Sequence, residues 1–227
     1  MAKNEARRQK QLAKKKAKRE EKRSQIARQT SHDPTIRLAS AAAWPIVETL
    51  IPVDLWEQGI GNLILARRHP TGQIAAAVFL VDVWCLGSKN AYWNILPESE
   101  YRAQVRKLEK RGELQNAAPE YFAKLVHDAV EYAQSFGFPP HPDYRHARML
   151  LQGIDASLCS EKFEFGKDGK PLYVAGPYDS EEKIKTIMHR LGEGRGEFIV
   201  PISPSEEIRA LTEEQRKMIE TEETEPE

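Results

Sequence analysis

Gln73-Ile74-Ala75-Ala76-Ala77-Val78-Phe79-Leu80-Val81-Asp82-Val83-Trp84-Cys85-Leu86 is the stretch that decides the fold. Read with a period of two, one face carries Ile74, Ala76, Val78, Leu80, Asp82 and Trp84. The other carries Ala75, Ala77, Phe79, Val81, Val83 and Cys85. A strand apolar on both faces is covered on both, so Gln73–Leu86 is expected to run as one long strand in the middle of a sheet. Just before it, His69-Pro70-Thr71-Gly72 reads as a turn. Proline presets a negative φ and glycine permits a positive one. Gly61–Arg68 is then the preceding strand of a hairpin.

Working outward toward the N-terminus, Ile46–Ile51 alternates like a strand, and Trp44 precedes a proline and should be extended. Asp33-Pro34 opens a short helix through Ala43, with aspartate as cap and proline at the first helical position. Asp54 caps a turn through Trp56 and Glu57. Toward the C-terminus the period lengthens. Pro97 starts a helix to about Arg111, with Tyr101, Val105 and Leu108 on one face. Pro119 starts another to Gly137, with a broad stripe from Phe122 to Phe136. His141-Pro142-Asp143 opens a third that Gly153 closes. Phe163–Phe165 and Leu172–Ala175 around Lys167–Lys170 read as a hairpin. Asp179 or Ser180 caps a helix with Ile184, Ile187, Met188 and Leu191 inward, and Glu197–Ile202 is a last strand.

This order predicts one α+β domain over residues 34–203, with a mixed or antiparallel sheet packed by helices. It is flanked by a basic tail at 1–33 and by a short amphipathic helix with an acidic tail at 204–227. The formal net charge is zero, but the charge is not evenly spread. Residues 1–30 hold seven Lys and five Arg against three Glu, whereas residues 204–227 hold nine Glu against two Arg and one Lys.

The basic tail is the clearest functional signal. Arg7, Arg8, Lys10, Lys14, Lys15, Lys16, Lys18, Arg19, Lys22 and Arg23 have the electrostatic footprint of phosphate binding. The tail lacks aromatic residues to stack on bases, so the expected target is a backbone-rich polyanion such as structured or ribosomal RNA. The plainer alternative is a solvated tail, or one paired with the chain's own acidic end. Two lone thiols, Cys85 and Cys159, an absent secretory leader and a longest apolar run of only Ile74–Val81 point to the cytoplasm and away from membranes.

Three features of the domain carry potential chemistry. Asp82 places a carboxylate in an apolar strand, which is costly unless it is paired, hydrogen-bonded or metal-bound. Nuclease chemistry would need further carboxylates around it, drawn from Glu57, Asp143, Asp155 or Asp179. The preferred reading is an aspartate near a strand end that is paired with an arginine or caps a turn. His141, Asp143 and His146 gather at a helix start, so Asp82, His141 and Asp143 are the metal candidates and Asp82 and Asp143 the catalytic ones. Cys85 beside Lys89 reads as a buried, unreactive thiol. The Gly176–Ser180 and Gly192–Gly196 loops match no phosphate or dinucleotide fingerprint, and no cofactor is implied.

The stretches Leu80–Asn90, Phe136–Tyr144 and Asp168–Pro171 resemble a bacterial family of uncharacterised proteins, over most of residues 45–180. The resemblance implies one bacterial domain and no assigned activity. Three functions are therefore expected in order: a non-catalytic RNA- or ribosome-associated protein anchored by its tail, a metal-dependent nuclease-like enzyme centred on Asp82, and a protein–protein adaptor with oppositely charged tails.

Overall fold

The turn at His69–Gly72 closes the hairpin that organises the sheet. In the computed structural model, which describes residues 33–176, 179–192 and 196–200, the Gly72 N–H donates to the His69 carbonyl at 2.9 Å, with Gly72 at φ +89°. The chain divides by its internal contacts into two compact units, residues 1–171 and 172–227.

The described part of the first unit begins with α1 (Pro34–Ala41), which Asp33 caps by accepting the Thr35 N–H at 2.8 Å. Strand β1 (Ile46–Pro52) and the single turn α2 (Leu55–Gln58) follow, then β2 (Ile60–Arg68) and β3 (Gln73–Asp82). Next come β4 (Gly87–Pro97), α3 (Glu98–Glu109), β5 (Leu114–Asn116) and α4 (Pro119–Ser135). The short helix α5 (Tyr144–Ala147) runs directly into a 3₁₀ turn at Arg148–Leu151, and a second 3₁₀ turn spans Ala156–Leu158.

The five strands form one antiparallel sheet in the order β4-β3-β2-β1-β5. β3 is paired on both edges, as its two apolar faces require. On one face Leu63, Leu65, Ala77, Phe79 and Val81 pack against Phe122, Leu125 and Val126 of α4, with Leu38 of α1 and Leu150 in the same core. On the other face Leu50, Ile64, Ile74, Val78 and Leu96 pack against Tyr101 and Val105 of α3. Each fully buried side chain of this size contributes roughly 1.5–3 kcal/mol.

Two sequence expectations are corrected in this unit. β3 does not continue to Leu86 but ends at Asp82, and the chain reverses through Val83–Leu86 into β4. The sequence reading missed β4 and β5 entirely. β4 escapes detection because Asn90 and Tyr92 are exposed and because its register slips. Val81 faces Ser88 while Leu80 faces Asn90, so the register steps over Lys89 in a bulge that breaks the alternation.

The second unit contains β6 (Leu172–Val174), α6 (Glu181–Leu191) and β7 (Glu197–Ile199). Ser180 caps α6 by accepting the Lys183 N–H at 3.3 Å, and Ile187 and Leu191 are buried. The expected hairpin of Phe163–Phe165 with Leu172–Ala175 is not formed. Lys167 and Lys170 make an isolated bridge, and β6 pairs in parallel with β7 instead. Pro171 has no N–H with which to extend the bridge into a ladder. A parallel pair needs a crossover, which α6 supplies. The architecture is thus α+β, with an antiparallel sheet and a separate parallel pair packed by helices. Among the described residues no helix is long and apolar enough to cross a membrane.

Candidate functional site

Asp82 sits where β3 ends, and its environment explains its presence. Its carboxylate Oδ1 accepts the backbone N–H of Trp84 at 3.0 Å and of Cys85 at 2.8 Å. The side chain therefore replaces the ladder bonds that the chain loses as it reverses, which is the turn-capping reading. Residue Asp82 is 7 % exposed, and burial raises its pKa to about 6 against the opposing pull of the Cys85 N–H and the Lys89 charge. The turn is pinned from two sides. Val83 N–H donates to the Gly59 carbonyl at 2.8 Å, and Gly166 N–H donates to the Val83 carbonyl at 3.0 Å. Lys167 lies 4.8 Å over the Trp84 ring.

The neighbours of Asp82 are not poised for nucleophilic chemistry. Cys85 is fully buried, and burial together with the Asp82 charge pushes its thiol up to about 12. A thiol of that acidity is protonated at neutral pH and unreactive. Burial likewise pushes the Tyr132 phenol up to about 12, and its hydroxyl is buried without a hydrogen-bond partner among the described residues.

Of the carboxylates that a metal site at Asp82 would need, Asp155 and Asp179 are engaged in contacts of their own. Asp155 accepts the Ser157 N–H at 3.0 Å and the Ser157 hydroxyl at 2.6 Å. Asp179 accepts the Tyr173 hydroxyl and the Gly176 N–H, both at 2.9 Å, and pairs with Lys183 at 2.6 Å. Asp143 is exposed. Its N–H donates to His141 Nδ1 at 3.3 Å, and its carboxylate lies 3.8 Å from the same nitrogen without capping the helix that follows. Among the described residues no three of His, Cys, Asp and Glu form a metal-ligating group. Arg7, Arg8, Lys10, Lys14, Lys15, Lys16, Lys18, Arg19, Lys22 and Arg23, together with the acidic segment 204–227, lie outside the described residues.

A different place on the first unit does gather charge. α4 and α5 border a depression of about 580 Å³ lined by His127, Glu131, His141, Arg145 and Arg148. A second of about 520 Å³, bordered by the 3₁₀ turn and Gly153, shares His127, Arg145 and Arg148 with the first. Arg145 and Arg148 are exposed, three residues apart on one continuous helical turn. Partial burial and the Arg148 charge lower the pKa of His127, with Asp128 opposing. Asp128 is itself paired with Lys124 one turn earlier on α4. The groove can therefore attract an anion through guanidinium groups that take part in no salt bridge among the described residues. Sequence reading did not find it, because His127 and Arg148 come together only when α4 folds against α5.

The chain matches no protein-family model, no curated protein and no solved structure. The resemblance to a bacterial family drawn from Leu80–Asn90 and Phe136–Tyr144 gains no support from those comparisons, and bacterial origin is not established. The functional reading therefore rests on the residues themselves.

A buried cation holds the 3₁₀ turn in place. Arg67, 5 % exposed, donates to three backbone carbonyls, those of Trp44 at 2.7 Å, Leu150 at 2.8 Å and Gln152 at 2.8 Å. It ties β2 to the end of α1 and to the 3₁₀ turn that carries Arg148. On the opposite face of the sheet Glu48 accepts the Tyr101 hydroxyl and pairs with Arg102 at 2.9 Å, while Arg68 pairs with Glu98 at 2.5 Å. These ion pairs staple α3 to the strands, while Arg106, Lys107, Lys110 and Arg111 at its C-terminal end are exposed.

Proposed function

We propose that this protein is a non-catalytic RNA-binding protein of the cytoplasm, held to the phosphate backbone of structured RNA, ribosomal RNA foremost, by its N-terminal tail. The observation that carries the reading is the excess of twelve cations over three carboxylates within residues 1–30. Clustered ammonium and guanidinium groups displace condensed counterions from a polyanion, which drives binding without base readout. The geometry of the domain favours binding over catalysis. Asp82 is engaged in capping a turn, Cys85 is a buried protonated thiol, and among the described residues no three of His, Cys, Asp and Glu form a metal-ligating group.

The test is a salt titration of binding to a labelled RNA hairpin, with full-length protein and a variant lacking residues 1–30. If six or more cations engage phosphates, affinity falls by roughly a thousandfold between 50 and 200 mM salt. The deletion variant should lose most of that dependence. Equal, salt-insensitive binding by both proteins removes the proposal. Sedimentation with ribosomes at low and high salt asks whether the ribosome is the target.

A further inference from the structure

We propose that the groove between α4 and α5 continues the tail's phosphate track, so that an RNA backbone held by residues 1–30 runs on over Arg145 and Arg148. This inference rests on the RNA-binding reading above and names the surface of the folded domain that takes part.

The first argument is position. The basic segment lies immediately before Asp33 in sequence, the cap of α1. α1 packs against α5 and against the 3₁₀ turn Arg148–Leu151, the two elements that carry Arg145 and Arg148.

The second argument is charge. Neither arginine forms a salt bridge among the described residues, and both are exposed. Of the acids nearby, Asp128 is already paired with Lys124, and Asp143 is exposed. Glu131 is the acid on the groove wall. An arginine fork matches the oxygens of a phosphate, and two forks three residues apart can hold successive phosphates of one strand.

The third argument is shape. The two depressions meet along His127, Arg145 and Arg148, which makes a furrow rather than an enclosed pocket. A furrow suits a chain that passes through, and it offers little to grip the edge of a base. The occupant is therefore a nucleic-acid backbone, read for charge and not for sequence.

The experiment uses full-length protein and a fluorescent RNA hairpin of about 20 base pairs, the length scale of a two-groove RNA contact. Three variants are compared with the parent. One carries Arg145→Gln with Arg148→Gln. A charge-matched control carries Arg106→Gln with Lys107→Gln on α3, across the sheet. A tail variant carries Gln at Lys14, Lys15, Lys16, Lys18 and Arg19. All four substituted groove and control residues are exposed, so circular dichroism and urea midpoints should be unchanged. The groove variant should bind roughly tenfold more weakly at 50 mM salt, with the slope of log K against log salt reduced by about one to two. The α3 control should stay within about twofold of the parent, the usual scale of screened long-range charge. If the tail variant weakens binding while the groove variant matches the parent, the track ends at the tail and this inference is overturned, though the RNA-binding reading stands. If groove and α3 variants weaken binding equally, net charge alone acts and the groove has no special part. If the parent itself shows no salt-dependent RNA binding, both readings fall together.

Discussion

Arg67 Nε donates to the carbonyl oxygen of Leu150 at 2.8 Å, from the interior of the first unit. Its two terminal nitrogens take the carbonyls of Trp44 and Gln152. Burial lowers its pKa, yet a guanidinium stays charged across the range in which proteins fold. Those three carbonyls belong to the bend after α1, to the 3₁₀ turn Arg148–Leu151 and to the residue that caps it. The charged fork therefore joins these two segments to β2. Replacing it with Met removes the charge and leaves one buried and two partly buried acceptors unpaired, each costing up to about 1–3 kcal/mol. Arg67→Met is expected to lower unfolding stability by roughly 3–6 kcal/mol in urea denaturation. Arg67→Lys should recover only part of this, because a point donor cannot span three acceptors set by a planar fork. A loss below 1 kcal/mol for the Met variant would show that water satisfies the carbonyls instead.

Gly87 makes a second position where backbone decides. It opens β4 at φ +61°, and a Cβ there would lie 2.6 Å from the Ala129 carbonyl and 2.9 Å from the Ala133 Cβ. The hairpin thus touches the α4 backbone itself, and no flexible side chain stands ready to move. Gly87→Ala combines a left-handed conformation, costing about 1 kcal/mol or more, with overpacking worth about 1–3 kcal/mol. A drop of roughly 2–4 kcal/mol in denaturant unfolding is expected. Gly72, also at positive φ, has nothing within 4 Å of such a Cβ. Gly72→Ala should therefore cost less, and equal costs at the two sites would mean that φ alone matters.

These two residues mark where sequence stops being legible. The run Ile74–Val81 announces itself because both of its faces are apolar, and a strand paired on both edges is the outcome. Helices α3 and α4 are legible from Pro97 and Pro119 and from their apolar stripes. β4 is not, since the bulge at Lys89 shifts its phase and Tyr92 faces solvent. Arg67 is not, since a cation at a strand's end reads as solvent-facing until the chain brings Leu150 and Gln152 over it. Asp82 was legible as a turn cap, because its cost in an apolar strand demanded donors and the next residues could supply them. The α4–α5 groove depends on residues from separate elements, and no local pattern encodes that juxtaposition.

The two thiols should separate kinetically. Cys85 is fully buried, and its thiol is pushed up to about 12 by burial and by Asp82. Cys159 is half-buried at the end of the second 3₁₀ turn. Thiolate fraction and access govern reaction with a disulfide reagent. One equivalent is expected to react in the native protein, and peptide mapping should place it on Cys159. The second should appear only on unfolding. Modification of Cys85 in native buffer at a rate near that of Cys159 would show that the β3–β4 turn opens far more readily than its hydrogen bonds imply.

Asp82 gives the pH dependence its sign. Its folded pKa of about 6 lies above the ordinary carboxylate value of 3.8, because burial disfavours the ion more than the Cys85 N–H and the Lys89 charge favour it. Between these two values the folded chain binds more protons than the unfolded one, so stability falls as pH rises through the window. The ionised carboxylate costs stability that is fully felt above about pH 6. A shift of this size corresponds to roughly 3 kcal/mol, at about 1.4 kcal/mol per unit. Asp82→Asn keeps an oxygen to accept the Trp84 and Cys85 N–H groups but cannot ionise. Urea unfolding measured at half-unit steps from pH 4 to 8 should show the parent losing stability relative to Asp82→Asn as pH climbs from 4 to 6, with a constant difference above pH 7. Parallel profiles would mean that Asp82 ionises as freely in the fold as in water. A parent that instead gained stability on the variant over that interval would reverse the sign, and would place a cation closer to the carboxylate than Lys89 stands.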